Sequence, residues 1–155
     1  MIKTLDNPFY YLENFHTVLD WIRERYSDLL TCEEHAFIAH FTSLPDASRA
    51  LLVRMVMRKG NLFRASKLRY DEIGCTQQAA RPLVALGWID DHSVLTLEQL
   101  FGLLKKAEIA HAFDLSLQQA GVKKAELLEM LRAEFTEARQ FAAWYAGADE
   151  CIYEV

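Results

Sequence analysis

LLVRMVMRKGNLFRASKLRY, residues 51 to 70, holds Arg54, Arg58, Lys59, Arg64, Lys67 and Arg69 and no acidic residue. The whole 155-residue chain has a formal net charge of −5. The stretch is therefore a local positive field in a background of opposite sign. Its apolar residues interleave with the charges at helical spacing, so Leu51, Leu52, Met55 and Val56 can turn inward while Arg54, Arg58 and Lys59 stay in water. Gly60 offers a left-handed stop after that helix, and LFRAS and KLRY continue as short strands or extended loop. On the extended part, Lys67 and Arg69 share one face and Leu68 and Tyr70 the other. Cations clustered in this way are what phosphate contacts require. A solvated helix face, neutralised by acids from another segment, is the competing reading, and charge alone favours it slightly.

Working back from the stretch, Pro45 and Asp46 suit the start of the helix that carries its first half, which is predicted to run to Lys59. Thr31 followed by Glu34 matches a capping box and opens a helix through about Phe41. Before it, Leu12, Phe15, Val18, Leu19, Ile22 and Tyr26 recur at helical spacing and predict a long amphipathic helix over 8–28. Working forward, Thr76 is a good N-cap for a helix that Gly87 ends. WIDDHSVLTL then reads as a β-hairpin with Asp90 to Ser93 at its tip. Helices, a short extended segment, a helix and a hairpin follow one another in the order of a winged helix-turn-helix. Thr96 with Gln99 is a second capping box and opens a helix through about Phe113. After DLSLQQAG, Val122 to Phe135 predicts another, with Leu127, Leu128, Leu131 and Phe135 on one face. KKAE occurs twice, at 105–108 and 123–126, near the starts of two successive helices. The last twenty residues predict a helix to about Ala146 and a short acidic tail.

With 52% apolar and 25% charged residues and only 6 Gly and 3 Pro, the composition is that of an ordinary globular domain. No run of about 18 apolar residues exists to span a membrane. Asp6, Asn7 and Glu13 interrupt the N-terminal stretch where a signal peptide would need an apolar core, which points to the cytoplasm. Cys32, Cys75 and Cys151 are isolated, without a CxxC, and read as reduced thiols, with Cys75 structural.

NPFYYLENFHTVLDWIRERYSDLL, LLVRMVMRKGNLFRASKLRYDEIG and AARPLVALGWID together resemble the N-terminal region of the Fanconi-associated nuclease family, the VRR-NUC structure-specific nucleases. VRMVMRKGNLFRASKLRY is the most specific segment, combining a basic helix end, a glycine, an aromatic and LRY in fixed order. GVKKAELLEMLRAEF is similar to the second helix of the SAP-type DNA-binding motif that this family carries next. The resemblance implies a mainly α fold: a winged-helix-like part with a small β-hairpin over 1–95, then a SAP-like helical part over 96–155. It implies the DNA-binding part of a nuclease for branched DNA with a 5′ flap. Such enzymes hold a divalent metal, Mg or Mn, at a PD-(D/E)xK-type site in a C-terminal VRR-NUC domain.

No such motif occurs in these residues. Pro45-Asp46 sits at a helix start and leads into ASRA. The five histidines form no HExxH or HxH pair, and Glu33, Glu34 and His35 are consecutive on a helix and cannot converge on one ion. The expectation is therefore a chain that is not itself an enzyme and holds no cofactor. The phosphate candidates are Arg54, Arg58, Lys59, Arg64, Lys67 and Arg69, joined by Lys123 and Lys124 at a helix N-terminus. Gln77, Gln78 and Arg81 lie on the helix that could meet a groove edge. The expected partners are branched or flapped DNA and the remainder of the nuclease. The alternative is a docking module whose basic face meets an acidic partner or that remainder.

Overall fold

The computed structural model describes residues 8–115, 121–145 and 150–155, which are mainly helical with two small antiparallel strand pairs. Residues 1–7 of the N-terminal stretch, part of DLSLQQAG and the expected helix end at Ala146 lie outside the described residues. The chain forms two compact units. The first runs to Asn61, resumes over Leu68–Ile89 and includes Val155; the second comprises Leu62–Lys67 and Asp90–Glu154. This differs from a single cut after Leu95, because the middle of the basic stretch belongs to the second unit.

In the first unit, helix α1 spans Tyr10–Tyr26 and ends in a 3-10 turn, Ser27–Leu29. Helix α2, Cys32–Ser43, begins with the expected capping box: Thr31 Oγ1 accepts the Glu34 N–H at 3.1 Å and Glu34 Oε1 accepts the Thr31 N–H at 3.4 Å. Helix α3, Asp46–Met57, follows Pro45 and packs against α1 and against helix α4, Thr76–Ala85. Leu51, Leu52 and Met55 are buried as the spacing requires, but Val53 takes the inward place expected of Val56, which is 52% exposed. The helix also stops earlier than Lys59. Arg58 is already extended, its N–H bonded to the Met55 carbonyl at 3.2 Å, and Gly60 turns at φ 89° two residues later.

Thr76 proves to be the first helical residue of α4, and exposed Cys75 is its N-cap. The Thr76 hydroxyl instead donates to the Leu68 carbonyl at 2.6 Å, pinning the return from the basic stretch to the helix start. The other end of α4 closes as predicted. Gly87, at φ 76°, donates to the Val84 carbonyl and Trp88 to the Leu83 carbonyl, both at 3.0 Å. These are the paired bonds of a Schellman stop. Leu68 is fully buried. Leu68→Ala is expected to lower stability by about 3 kcal/mol in a denaturant titration, the usual cost of emptying a leucine site.

In the second unit, strand β1, Leu62–Arg64, pairs antiparallel with β4, Ile152–Glu154. Strand β2, Val94–Leu95, pairs with β3, Arg139–Gln140. The hairpin expected over Trp88 to Leu97 is thus replaced by pairing with residues distant in sequence. Its second run becomes β2, while its first supplies Asp90, which bridges Glu154. The end of the expected acidic tail is likewise a strand, with Ile152 and Tyr153 buried. The helix that opens at the Thr96–Gln99 capping box breaks at Leu104 and Lys105, giving α5, Leu97–Leu103, and α6, Lys106–Ala112. Helix α7, Lys124–Arg132, presents Leu127, Leu128 and Leu131 to the core together with Phe135. A short α8, Phe141–Trp144, completes it: the Trp144 indole N–H donates to the Leu95 carbonyl at 2.9 Å, amid Phe113 and Phe135. Each KKAE places its first lysine at the N-cap, of α6 and of α7. No helix among the described residues is long and apolar enough to cross a membrane.

Candidate nucleic-acid interface

Arg54 leaves α3 in its last turn and lies over two tyrosine rings, 4.1 Å from the Tyr11 centroid and 4.6 Å from that of Tyr70. Its Nη2 reaches Glu72 Oε2 at 3.0 Å, and the Tyr11 hydroxyl donates to the same oxygen at 2.7 Å. Burial alone would raise the Glu72 pKa, but the Tyr11 and Arg54 bonds outweigh it and hold the carboxyl below its usual range. Burial, reinforced by Glu72, pushes the Tyr11 hydroxyl up to about 12. Arg54, expected to face solvent, is therefore held by both tyrosine rings and by Glu72, with its side chain 32% exposed. Its charge is largely spent inside the protein.

The cations around that clamp are more open. Arg58 is exposed, and its Nη1 donates to the Tyr70 hydroxyl at 3.3 Å, so Tyr70 carries one arginine over its ring and another at its tip. Lys59 and Arg69 are exposed, as are Gln77, Gln78 and Arg81 on α4, whose inner face is Ala79, Ala80 and Leu83. Each of these side chains is open to solvent, which a phosphate or base-edge contact requires.

In the second unit the expected cations divide sharply. Arg64 is buried, and its guanidinium meets both oxygens of Glu108 at 2.8 Å. The same group reaches Glu150 Oε2 at 2.8 Å and the Leu103 carbonyl at 3.3 Å. Glu150 also accepts the Ser66 N–H at 3.1 Å and its hydroxyl at 2.8 Å. The two-pronged Arg64 bond draws the Glu108 pKa down to about 2, against the opposing effect of burial. Lys124 donates to the Leu104 carbonyl at 2.6 Å, closing the C-terminus of α5. Arg64 and Lys124 are structural in this geometry, whereas Lys67 and Lys123 are exposed. Nothing local in the sequence identifies Glu72, Glu108 or Glu150 as partners, since each lies many residues from the arginine it holds.

Asp90, Asp91 and His92 bring their ligand atoms within 4.8 Å of one another. They are consecutive, Asp90 and His92 are exposed, and Asp90 Oδ1 already accepts the His92 N–H at 2.8 Å. Asp91 in turn contacts the His92 ring. That is the bonding of a tight turn.

Residues 9–90 match the family model for the FAN1 HTH domain, and residues 94–144 match the Fanconi anemia-associated nuclease SAP domain. Over 97% of its length the chain is 57% identical to the Fanconi-associated nuclease 1 homolog of Pseudomonas aeruginosa. Over 78% it is 32% identical to the homolog of Oryza sativa subsp. japonica. It spans 27% of the Pseudomonas relative and 13% of the rice one. The fold superposes with a TM-score of 0.90 on a crystal structure of paFAN1 bound to 5′-flap DNA with a two-nucleotide flap and a gap. That match has 57% identity and covers 96% of this chain and 27% of the other.

Proposed function

The chain belongs to the Fanconi-associated nuclease family, and from that premise we propose that it grips flapped DNA for a structure-specific repair nuclease. The observation that carries this reading is the exposed cationic end of α3, Arg58 and Lys59, on a fold similar to one bound to 5′-flap DNA. Arg69 and Arg81 in the first unit, and Lys67 and Lys123 in the second, supply further phosphate contacts, with Gln77 and Gln78 reaching toward a groove. The tyrosine-clamped Arg54 holds the base from which Arg58 projects.

Cleavage belongs to the VRR-NUC part of the family's chain, which would hold the divalent Mg or Mn ion. The Asp90–Asp91–His92 turn fits that role poorly, because its residues are consecutive, the Asp90 carboxylate is taken up by the His92 backbone N–H, and Asp91 contacts the His92 ring. We place the protein in the cytoplasm, a reducing compartment that suits its free Cys32, Cys75 and Cys151.

A titration of flapped, duplex and single-stranded DNA across a salt series tests the reading. Flapped DNA is expected to bind, with log affinity falling linearly in log salt at a slope near one per phosphate contact. Weak association without salt dependence would favour the docking reading. That alternative draws on one observation, the apolar residues left open along and after α1: Val18, Trp21, Tyr26 and Leu29, the last 73% exposed.

A further inference from the structure

Between α1 and α3 lies a groove of about 220 Å³ lined by Tyr10, Asn14, Phe15, Val18, Val53 and Met57, with Tyr11 completing it. We propose that this groove receives one unpaired nucleobase of branched DNA, a deepening of the DNA-gripping reading on which it rests.

The geometry supports that occupant over others. The lining includes the exposed Tyr10 ring and the half-buried Phe15 ring, and an open ring is the kind of platform on which a base stacks. Tyr10 meets the buried Tyr11 edge to face at 5.9 Å, a contact that orients the exposed Tyr10 ring. Asn14 is the one amide in the lining, and it can both donate to and accept from a base edge. Apolar residues at the mouth are left in water: Tyr10 is 42% exposed and Met57 68%. Exposed apolar surface at a groove marks an interaction site, and a flat base suits the open Tyr10 ring. The charge beside it is of the complementary sign for a nucleic acid. Met57 is followed directly by exposed Arg58 and Lys59, which can hold the phosphates flanking an unstacked base. Branched DNA supplies such bases at low cost, because they lack a pairing partner. Apolar side chains flanked by basic residues are also the device by which proteins separate stacked base steps.

The test uses the full chain, its Tyr10→Ala and Met57→Ala variants, and flapped DNA with 2-aminopurine at the first unpaired position. Both substitutions are at exposed positions, and circular dichroism confirms that each variant is folded. The expected result is an aminopurine fluorescence change on binding that either substitution removes. Flap affinity is expected to drop on the order of tenfold, the scale of one lost base stack, while affinity for an unbroken duplex stays at the parent value. Unchanged flap affinity and fluorescence in both variants, with the parent still binding flapped DNA, would overturn the groove assignment and leave the DNA-gripping reading standing. A parent that binds no DNA would overturn both. Sedimentation showing a parent dimer that Met57→Ala dissociates, with DNA binding unmoved, would overturn it in favour of a second copy.

Discussion

Arg64→Leu is expected to lower the unfolding free energy by about 3–5 kcal/mol, because it strands Glu108 and Glu150 without the cation that both face. The three side chains are at most 24% exposed, so solvent does little to compensate. Chemical denaturation of the purified chain measures the loss. Adding Glu108→Gln and Glu150→Gln to the same variant should recover much of it, since the penalty comes from uncompensated charge more than from missing attraction. The pH profile follows from the same contacts. Glu108 is held at about 2 in the folded protein against an ordinary 4.5, so its contribution is complete above pH 4.5 and is lost as pH falls toward 2. In Arg64→Leu that acid-side decline should flatten. An undiminished decline would mean that other carboxylates govern acid unfolding.

The second large effect concerns DNA. Replacing Arg58 and Lys59 together with Glu is expected to weaken binding to every DNA form by at least about a hundredfold near 0.1 M salt, as each phosphate contact contributes roughly tenfold there. The log–log salt slope should flatten by about two. Stability should change little, because both residues lie past the last helical residue of α3 and are exposed. Arg54→Glu would be a poor companion test. It would set a carboxylate against Glu72 where the guanidinium now sits at 3.0 Å, and loss of fold would mask any loss of grip. If the Arg58 and Lys59 double variant binds flapped DNA as tightly as the parent, the end of α3 is not the grip.

How much could be read in advance tracks how local the physics is. Both capping boxes, Thr31 with Glu34 and Thr96 with Gln99, close within four residues, and the sequence predicts them correctly. Gly87 is equally local. Thr76 differs, because its hydroxyl donates to the distant Leu68 carbonyl while Cys75 takes the N-cap, a contact that no spacing reveals. The break between α5 and α6 is hidden under continuing apolar periodicity, although the KKAE at 105 marks it: Glu108 accepts the Lys105 N–H at 2.8 Å. Arg64 and Arg58 look alike in sequence, each a cation in a basic run. They differ because Glu108 and Glu150 fold back onto one of them, a fact held in tertiary structure alone. The strand partners of Val94–Leu95 and Leu62–Arg64 escaped for the same reason, as short strands carry too little pattern to name a mate.

The pairing of Leu62–Arg64 with Ile152–Glu154 sets a timetable for synthesis. About ninety residues separate the two strands. At ribosomal rates of roughly 5–20 residues per second, the earlier strand waits on the order of ten seconds for the later one to be made. During that interval the nascent chain carries an open strand edge, and Arg64 has yet to meet Glu150. Pairing with another emerging chain competes in those seconds, and the second unit is sealed only when its last strand arrives.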